Sequence, residues 1–222
     1  MIQITNLTVR FPDGKGSTLT ALSVPSFTLE EGGLTCVTGP SGTGKTTFLH
    51  CLSGLLTPTT GTIQVGKEVI TSLPQEKRCA FRAKKVGYVF QKPLLLPYLT
   101  VAENIRLSAS FAGESVTDEE ISNLLAEVNL KGLEGRYPDT LSGGQQQRVS
   151  FLRAIVRKPS LLLADEPTAA LDRTNGERLM QILLDYQKGT GCYLLCATHD
   201  THVMSLFPKG RSRRKTVFST SW

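Results

Sequence analysis

The sequence lacks any long hydrophobic run. No segment approaches the roughly 18 apolar residues that a membrane-spanning helix needs, and an uninterrupted apolar stretch such as residues 161–164 is only a few residues long. Residues 1–10 alternate polar and apolar side chains and do not contain the apolar segment of a signal peptide. These two absences exclude an integral membrane protein and favour a chain that stays in the cytoplasm.

Cysteine is present but forms no pattern. The five cysteines are Cys36, Cys51, Cys79, Cys192 and Cys196. Their number is odd, and Cys192 and Cys196 lie four apart inside an apolar run, which favours buried thiols over a disulfide or a metal site. The pattern excludes a secreted disulfide scaffold and predicts a reducing compartment.

Length and charge set further limits. With 222 residues, 40% of them hydrophobic, the chain suits one large α/β domain or two small lobes, and it has neither repeats nor a low-complexity linker. The formal net charge is +6. Five of the positive charges are Lys209, Arg211, Arg213, Arg214 and Lys215. This basic run is typical of a solvated end, although contact with nucleic acid or anionic lipid is the alternative.

The apolar pattern predicts an α/β fold. Strands are expected near the N-terminus, with a strand pair formed by residues 27–29 and 34–38 around a Glu-Gly-Gly turn. An apolar stripe from Phe48 to Leu56 predicts a helix that ends at Pro58. Helix-period segments fill about 92–157, and the short apolar runs 161–164 and 193–197 are typical of strands buried in a parallel sheet.

A glycine-rich loop follows the strand predicted at 34–38. Residues 39–46 read GPSGTGKT and satisfy the pattern G-x-x-x-x-G-K-[ST]. Glycines let successive backbone N–H groups point at phosphate oxygens, and the next helix presents its positive N-terminus to the same anion. Lys45 adds a charge for the β- and γ-phosphates, and the Thr46 hydroxyl can hold Mg²⁺. The loop therefore predicts a nucleotide site.

Two further segments carry chemistry. Asp165 and Glu166 follow a buried strand, at the sheet edge where open α/β folds bind ligands. Ser142 is a good helix N-cap, and Gln145 can complete a capping box. The Gly-Gly between them costs about 1 kcal/mol per helical glycine, which indicates close approach to a ligand or to another backbone.

Taken in order, these motifs resemble those of ATP-binding cassette (ABC) ATPases over about residues 1–200. Residues 141–148, LSGGQQQR, are similar to the family's signature motif, 39–46 to its Walker A loop and 161–166 to its Walker B strand. Gln91 matches the Q-loop, 170–172 the D-loop, and His199 the switch histidine. The resemblance implies a P-loop NTPase fold with a mixed sheet core, an N-terminal antiparallel β part and an inserted helical subdomain. It implies one ATPase domain over 1–222, with a core at about 1–91 and 158–222 and the helical subdomain at about 92–157.

The resemblance also implies roles for individual residues. ATP would be bound by Phe11, which stacks on adenine, and by Gly39, Pro40, Ser41, Gly42, Thr43, Gly44, Lys45, Thr46 and Thr47. Mg²⁺ would be organised by Thr46, Gln91 and Asp165. Glu166 would be the general base, with His199 and Gln91 at the γ-phosphate. The signature residues Leu141, Ser142, Gly143, Gly144 and Gln145 would serve the nucleotide of a second subunit, beside the D-loop residue Asp172.

Residues 86–105 resemble the lipoprotein-release, macrolide-export and cell-division branch of the family. Within them, Leu94, Leu95, Leu96 and Tyr98 fit either a docking surface for a membrane subunit or packing between the two subdomains. After His199 the sequence departs from the family pattern, so the terminal β-element is expected to be short or altered.

We therefore expect a stand-alone ATP-hydrolysing subunit that works as a dimer with ATP at the interface. It would drive an integral membrane permease from the cytoplasmic face of the cell membrane, and no nucleic-acid partner is expected. One alternative is a non-transport ATPase that signals across the membrane, as in the cell-division relatives. Another is an ABC-type ATPase that acts on DNA or RNA through the basic run, although 222 residues leave no room for the long coiled coil or second cassette of those proteins.

Overall fold

The computed structural model describes residues 1–14 and 16–207, together with the backbone of one strand beyond them. The strands are β1 (Ile2–Pro12), β2 (Thr18–Leu29), β3 (Leu34–Thr38), β4 (Thr60–Val65), β5 (Glu68–Val69), β6 (Val86–Val89), β7 (Leu161–Asp165), β8 (Tyr193–Ala197) and β9 (Arg213–Val217). The helices are α1 (Lys45–Leu52), α2 (Gln75–Lys85), α3 (Val101–Ser110), α4 (Asp118–Glu127), α5 (Gly143–Ile155), α6 (Arg173–Thr190) and α7 (Thr201–Leu206). None of the helices in the described part of the chain has the length and apolar character needed to cross a bilayer.

The strands form two sheets of different kinds. The first is antiparallel, with the order β2-β1-β4-β5. Along β1, Ile2, Ile4, Leu7 and Val9 are buried on one face, which is the alternation expected of a sheet that packs on one side only. The second sheet has the order β6-β7-β8-β3-β9, and all of its pairs are parallel. Every residue of β3, β7 and β8 is buried, because this sheet is covered on both faces.

The parallel sheet separates two hydrophobic cores. Along β7, Leu162 and Ala164 pack with helices α3 to α7, whereas Leu161 and Leu163 pack with α1, α2 and the antiparallel sheet. This alternation follows from the period of two in a β-strand. The two sheets are therefore held together through α1 and the apolar residues around it.

The predicted pairing of residues 27–29 with 34–38 is wrong. Residues 27–29 belong to β2, which pairs with β1, and Leu34–Thr38 is β3 in the parallel sheet. The Glu-Gly-Gly turn thus carries the chain from one sheet to the other. The continuous burial of β3, in place of alternation, is the physical reason for its position near the middle of the parallel sheet.

Two helix predictions also need correction. The helix that carries Phe48 ends at Leu52 and not at Pro58, because Ser53 caps it and Gly54 adopts a left-handed φ of 69°. Leu55 is 49% exposed, outside the helix. The second helix, α2, was not predicted, since its sequence is mostly charged and buries Phe81 alone.

The expectations for Cys192 and Cys196 and for a short terminal strand are met. Cys192 and Cys196 are buried, as are Cys36 and Cys51, whereas Cys79 is exposed on α2. Asp118 to Glu120 form the first turn of α4, where their charge stabilises the helix N-terminus. The last strand, β9, is five residues long and pairs with β3. Its backbone includes Arg213, Arg214 and Lys215, so this part of the basic run is no free end; Lys209 and Arg211 lie outside the described residues.

A buried asparagine fixes the loop before α3. The Asn104 side chain donates to the backbone carbonyls of Leu96 (3.1 Å), Leu99 (3.0 Å) and Thr100 (3.0 Å), and its Oδ1 accepts from the Leu96 N–H at 2.9 Å. Thr100 and Glu103 add a capping box at the start of the helix. A loop with exposed apolar side chains is thereby held in one conformation.

We predict that Asn104→Asp lowers the free energy of unfolding by about 3 kcal/mol, because a buried carboxylate cannot donate to three carbonyls that have lost their donor. Urea denaturation at pH 7 would measure the loss. The matched control is Asn123→Asp on the exposed face of α4, which should change stability by no more than about 0.5 kcal/mol. Equal midpoints for the two variants would contradict the assignment.

Candidate active site

The phosphate loop joins β3 to α1 and is shaped around one lysine. Lys45 is 7% exposed, and its Nζ donates to the carbonyls of Gly39 at 2.9 Å and Pro40 at 3.0 Å. Gly44 is the N-cap of α1 with φ +86°, and a Cβ there would lie 2.4 Å from the Ala21 carbonyl oxygen. A side chain at this position would therefore be excluded both by conformation and by contact.

The two carboxylates lie at the carboxyl end of β7. Asp165 is its last residue, and Glu166 follows with a left-handed φ of 44°, its N–H donating to the Ala197 carbonyl at 2.8 Å. A non-glycine residue in this conformation is strained. The Glu166 backbone nevertheless remains bonded to β8.

Two side chains, those of Lys45 and His199, meet at Glu166. Its Oε1 lies 2.8 Å from His199 Nδ1 and 3.7 Å from Lys45 Nζ. The Glu166 side chain is 12% exposed, whereas that of His199 is 63% exposed. The residues predicted from the glycine-rich loop, the carboxylate pair and the end of β8 are thus brought together.

Asp165 has a different environment. Its Oδ2 accepts from the Tyr88 hydroxyl at 3.4 Å, and its Oδ1 is buried without a hydrogen-bond partner among the described residues. Burial raises the pKa of Asp165, and the neighbouring Thr46 side chain opposes that rise. The same burial raises the pKa of Tyr88 well above its ordinary value.

Thr46 and Asp165 fit a magnesium ion. Mg²⁺ prefers hard oxygen ligands and is held in proteins by few carboxylates together with substrate phosphates. The unpartnered Oδ1 of Asp165 and the adjacent Thr46 hydroxyl supply such oxygens. Gln91 follows β6, the neighbour of β7, and is exposed; within the described ranges its side chain makes no hydrogen bond to either residue.

The signature segment begins α5 as predicted. Ser142 Oγ accepts from the Gln145 N–H at 3.3 Å, and Gln145 Oε1 accepts from the Ser142 N–H at 2.8 Å, which completes the capping box. At Gly144 a Cβ would lie 3.1 Å from Asn175 Cγ, so the close neighbour is a side chain and not the ligand or backbone that was expected. At Gly143 a Cβ would meet nothing within 4 Å, so this glycine leaves the helix start open.

The D-loop residue Asp172 supports this contact. It caps α6, accepting from the Asn175 N–H at 2.9 Å and from Asn175 Nδ2 at 2.5 Å, and these hydrogen bonds lower the pKa of Asp172. Asn175 was missed in the sequence. The sequence signal for Asn175 was its position three residues after the N-cap aspartate, a pattern that is typical of an ordinary helix start.

Phe11 and the signature segment are the other predicted parts of the site. The Phe11 ring is 41% exposed on β1 and opposite Leu19 of β2. Ala21, two residues farther along β2, contacts the phosphate loop at Gly44, so Phe11 is near the loop. Across the described residues no hydrogen bond joins the start of α5 to residues 39–47.

A groove of about 470 Å³ lies between α2, β6, α3 and α5. Its lining combines apolar side chains such as Phe90 and Phe111 with three arginines, Arg82, Arg153 and Arg157. Beside it, Leu94 is 56% and Tyr98 71% exposed. Leu95 instead packs against the hydrophobic core, and Leu96 is half-buried, so packing between the subdomains holds for part of this segment, and docking of a membrane subunit stays a prediction.

The chain is similar to known proteins of a single family. A family profile for ABC transporters matches residues 22–169. An uncharacterized ABC transporter ATP-binding protein of Mycobacterium tuberculosis is 39% identical over 201 residues, which are 90% of this chain and 81% of that protein. The lipoprotein-releasing system ATP-binding protein LolD of Legionella pneumophila is 36% identical over 189 residues, 84% and 83% of the two chains. The resemblance to the lipoprotein-release proteins is thereby confirmed.

Solved structures agree with these relatives. The ATP-binding cassette MJ0796, a dimer in a post-hydrolysis state bound to ADP and Pi, has a TM-score of 0.84 and 33% identity, covering 91% of this chain and 90% of that one. CbiO1 from Clostridium perfringens, part of the transporter complex CbiONQ, has a TM-score of 0.77 and 27% identity, covering 92% and 80%.

We predict that Asp165→Asn stabilises the fold near neutral pH. Because burial raises the pKa of Asp165, its contribution to stability is present below the unfolded-state value of 3.8 and is lost as the pH rises through the folded-state value. Asparagine does not ionise, so the variant should unfold at higher urea than wild type at pH 7, and this advantage should shrink toward pH 4. Urea titrations without divalent cations would measure it.

The control for charge alone is Asp185→Asn, which removes an exposed carboxyl on α6. An Asp165→Asn variant less stable than wild type at pH 7 would show that the carboxylate is stabilised, against this prediction.

Proposed function

This chain belongs to the ABC transporter family, as the ATP-binding subunit of a transporter, and we propose that it couples ATP hydrolysis to the movement of a separate membrane subunit. The observation that carries the catalytic part of the proposal is the meeting of Lys45, Glu166 and His199 at one carboxylate oxygen. In this arrangement Lys45 is the phosphate ligand, Glu166 is the base, and His199 is a polar contact for the γ-phosphate. We place the subunit at the cytoplasmic face of the membrane.

The phosphate loop binds the nucleotide in this proposal. Backbone N–H groups of 42–46 and the start of α1 face the phosphates, and Lys45 Nζ neutralises the β- and γ-phosphate charge. Gly44 has to remain glycine because the loop there lies against β2. Phe11, near the same part of β2, stacks on the adenine.

Thr46, Asp165 and Gln91 would hold Mg²⁺. The ion supplies charge neutralisation of the β- and γ-phosphate oxygens during transfer. The unpartnered Oδ1 of Asp165 supports this role, since a buried carboxylate oxygen without a donor is destabilising unless a cation or water meets it.

Glu166 acts as the general base toward the attacking water. Its oxygen is within hydrogen-bond distance of His199 Nδ1, which fixes the direction of the carboxylate. The proton of the water moves to Glu166 as the oxygen attacks the γ-phosphorus in line with the leaving group. The exposed part of the His199 ring is available to contact the γ-phosphate.

Two copies would complete the site. Ser142 and Gly143 are exposed at the start of α5, and the first backbone N–H groups of a helix suit a phosphate. Since they make no hydrogen bond to the phosphate loop of their own chain, we propose that they serve the nucleotide of a second copy. The MJ0796 cassette, which is a dimer, supports this arrangement.

The groove beside α2 is the proposed docking place of the membrane subunit. Phe111 of its lining is exposed, as are Leu94, next to the lining residue Pro93, and Tyr98, four residues farther on; such side chains are unusual on a solvated surface. Asn104 fixes the loop that carries Leu94 and Tyr98 through a hydrogen bond to its backbone. The subunit complex CbiONQ that contains CbiO1 supports such a partner.

We predict that Glu166→Gln abolishes most ATP turnover while ATP binding persists, because the amide cannot take a proton from water. The loss of kcat should be about 100-fold or more, and a nucleotide-trapped dimer should appear in size-exclusion chromatography. ATPase activity equal to wild type would contradict the assignment of the base.

We also predict that Ser142→Arg stops hydrolysis without weakening ATP binding to the monomer. The bulky cation would occupy the surface at the start of α5 that meets the second copy. Fluorescent ATP-analogue titration at low protein concentration and steady-state ATPase assays separate the two effects. An equal fall in monomer binding would place Ser142 at its own chain's nucleotide and refute the shared site.

A further inference from the structure

The signature helix α5 holds both ends of the segment that contains Gln91. Near its start, Gln147 Nε2 donates to the Phe90 carbonyl at 2.8 Å. Two turns later, Arg153 Nη1 donates to the Leu94 carbonyl at 2.7 Å. Residues 91–93 are therefore bracketed by two carbonyls that accept from one helix.

Gln147 is an unusual residue for its position. It is 2% exposed and lies on the buried face of α5, one and two turns from the core residues Phe151 and Ala154. A buried side-chain amide is costly unless its polar atoms are bonded. An apolar side chain would fill this space without that cost, so the hydrogen bond to Phe90 is what the glutamine adds.

Phe90 connects the bracket to the carboxylates. Its ring stacks on Tyr88 at a centroid distance of 4.2 Å and an interplanar angle of 26°, and the Tyr88 hydroxyl donates to Asp165 at 3.4 Å. The end of β6 is thus fixed from α5 on one side and from β7 on the other. Gln91 is the next residue along the chain.

We propose that Gln147 is a positioning residue for Gln91, fixing the backbone from which Gln91 reaches the nucleotide and its metal ion. This inference rests on the proposed function, in which Gln91 belongs to the Mg²⁺–ATP site. Because Gln147 and Ser142 are on one helix, five residues apart, the same hydrogen bond ties Gln91, at the nucleotide of its own chain, to Ser142, at the nucleotide of the other copy. A displacement of α5 would then move residues at both nucleotides together.

The first test compares Gln147→Met with Gln187→Met. Methionine keeps the length of the side chain and removes the amide. Gln187 is the matched control, since its Nε2 also donates to backbone carbonyls, of Gly32 (2.9 Å) and Cys192 (3.3 Å), but at the opposite end of the parallel sheet. Steady-state ATPase activity is measured over a Mg²⁺ titration. Each rate is normalised to the fraction of protein that is folded, which is determined from ATP binding in the absence of Mg²⁺.

We expect Gln147→Met to lower kcat or raise the Mg²⁺ requirement about 10-fold, as loss of a residue that orients a metal ligand commonly does. Mg²⁺-free ATP binding should stay within about twofold of wild type, and Gln187→Met should match wild type throughout. The decisive comparison repeats Gln147→Met in a Gln91→Ala background, where it should change activity less than about twofold, because residues that act through one another are not additive.

Equal losses in both backgrounds would overturn the proposal, since they would show that Gln147 acts independently of Gln91. Full activity of Gln91→Ala would overturn it as well. A wild-type chain without Mg²⁺-dependent ATPase would instead refute the proposed function, which is seen before any variant is compared.

A second measurement does not depend on activity. Hydrogen–deuterium exchange of the peptide covering 90–96 should be at least several-fold faster in Gln147→Met than in wild type or Gln187→Met, because the Phe90 end of the bracket is released. Unchanged exchange in this peptide would overturn the proposal even if the activity falls.

Discussion

The parallel hydrogen bonding of β3, β7 and β8 is the constraint on which the site depends. Cys36 pairs with Cys196, and Ala164 also pairs with Cys196, so the three strands end at the same edge. The ladder continues past the strands through Thr198 N–H to the Val37 carbonyl at 3.0 Å and Glu166 N–H to the Ala197 carbonyl at 2.8 Å. The backbones that carry Lys45, Glu166 and His199 are therefore fixed by sheet bonds. A register shift of one residue would move every side chain to the wrong face.

The polar residues of the site are held at the expense of stability. Lys45, Asp165 and Glu166 are all buried, and one oxygen of Asp165 has no hydrogen-bond partner among the described residues. Charged groups in such positions are destabilising unless they are paired. Lys45 is paired with loop carbonyls and Glu166, whereas Asp165 has the hydroxyls of Tyr88 and Thr46 beside it. The destabilising effect of buried charge therefore falls mainly on Asp165, the residue proposed to bind a cation.

Local patterns predicted much of the fold and of the site. The glycine-rich loop, the carboxylate pair and the Ser142 capping box are each contained in a few consecutive residues, so the sequence alone indicates them. The whole of α2 was not predicted because its sequence is mostly charged, and the end of α1 was misplaced because the local cap at Ser53 and Gly54 was not recognised. The partner of β2 was not predicted because it depends on contacts between distant residues. Gln147 and Asn175 were missed for the same reason: their roles come from the carbonyl of Phe90 and the absent side chain of Gly144.

The two cores on opposite faces of the parallel sheet have a consequence for how such a protein can diversify. Leu161 and Leu163 belong to the nucleotide side, and Leu162 and Ala164 to the helical side, so neighbouring residues of one strand serve different cores. Substitutions among the helical-side residues can therefore alter the packing of α3 to α7 while the residues that pack against α1 and the antiparallel sheet stay unchanged. One strand can thus change its two faces in separate steps.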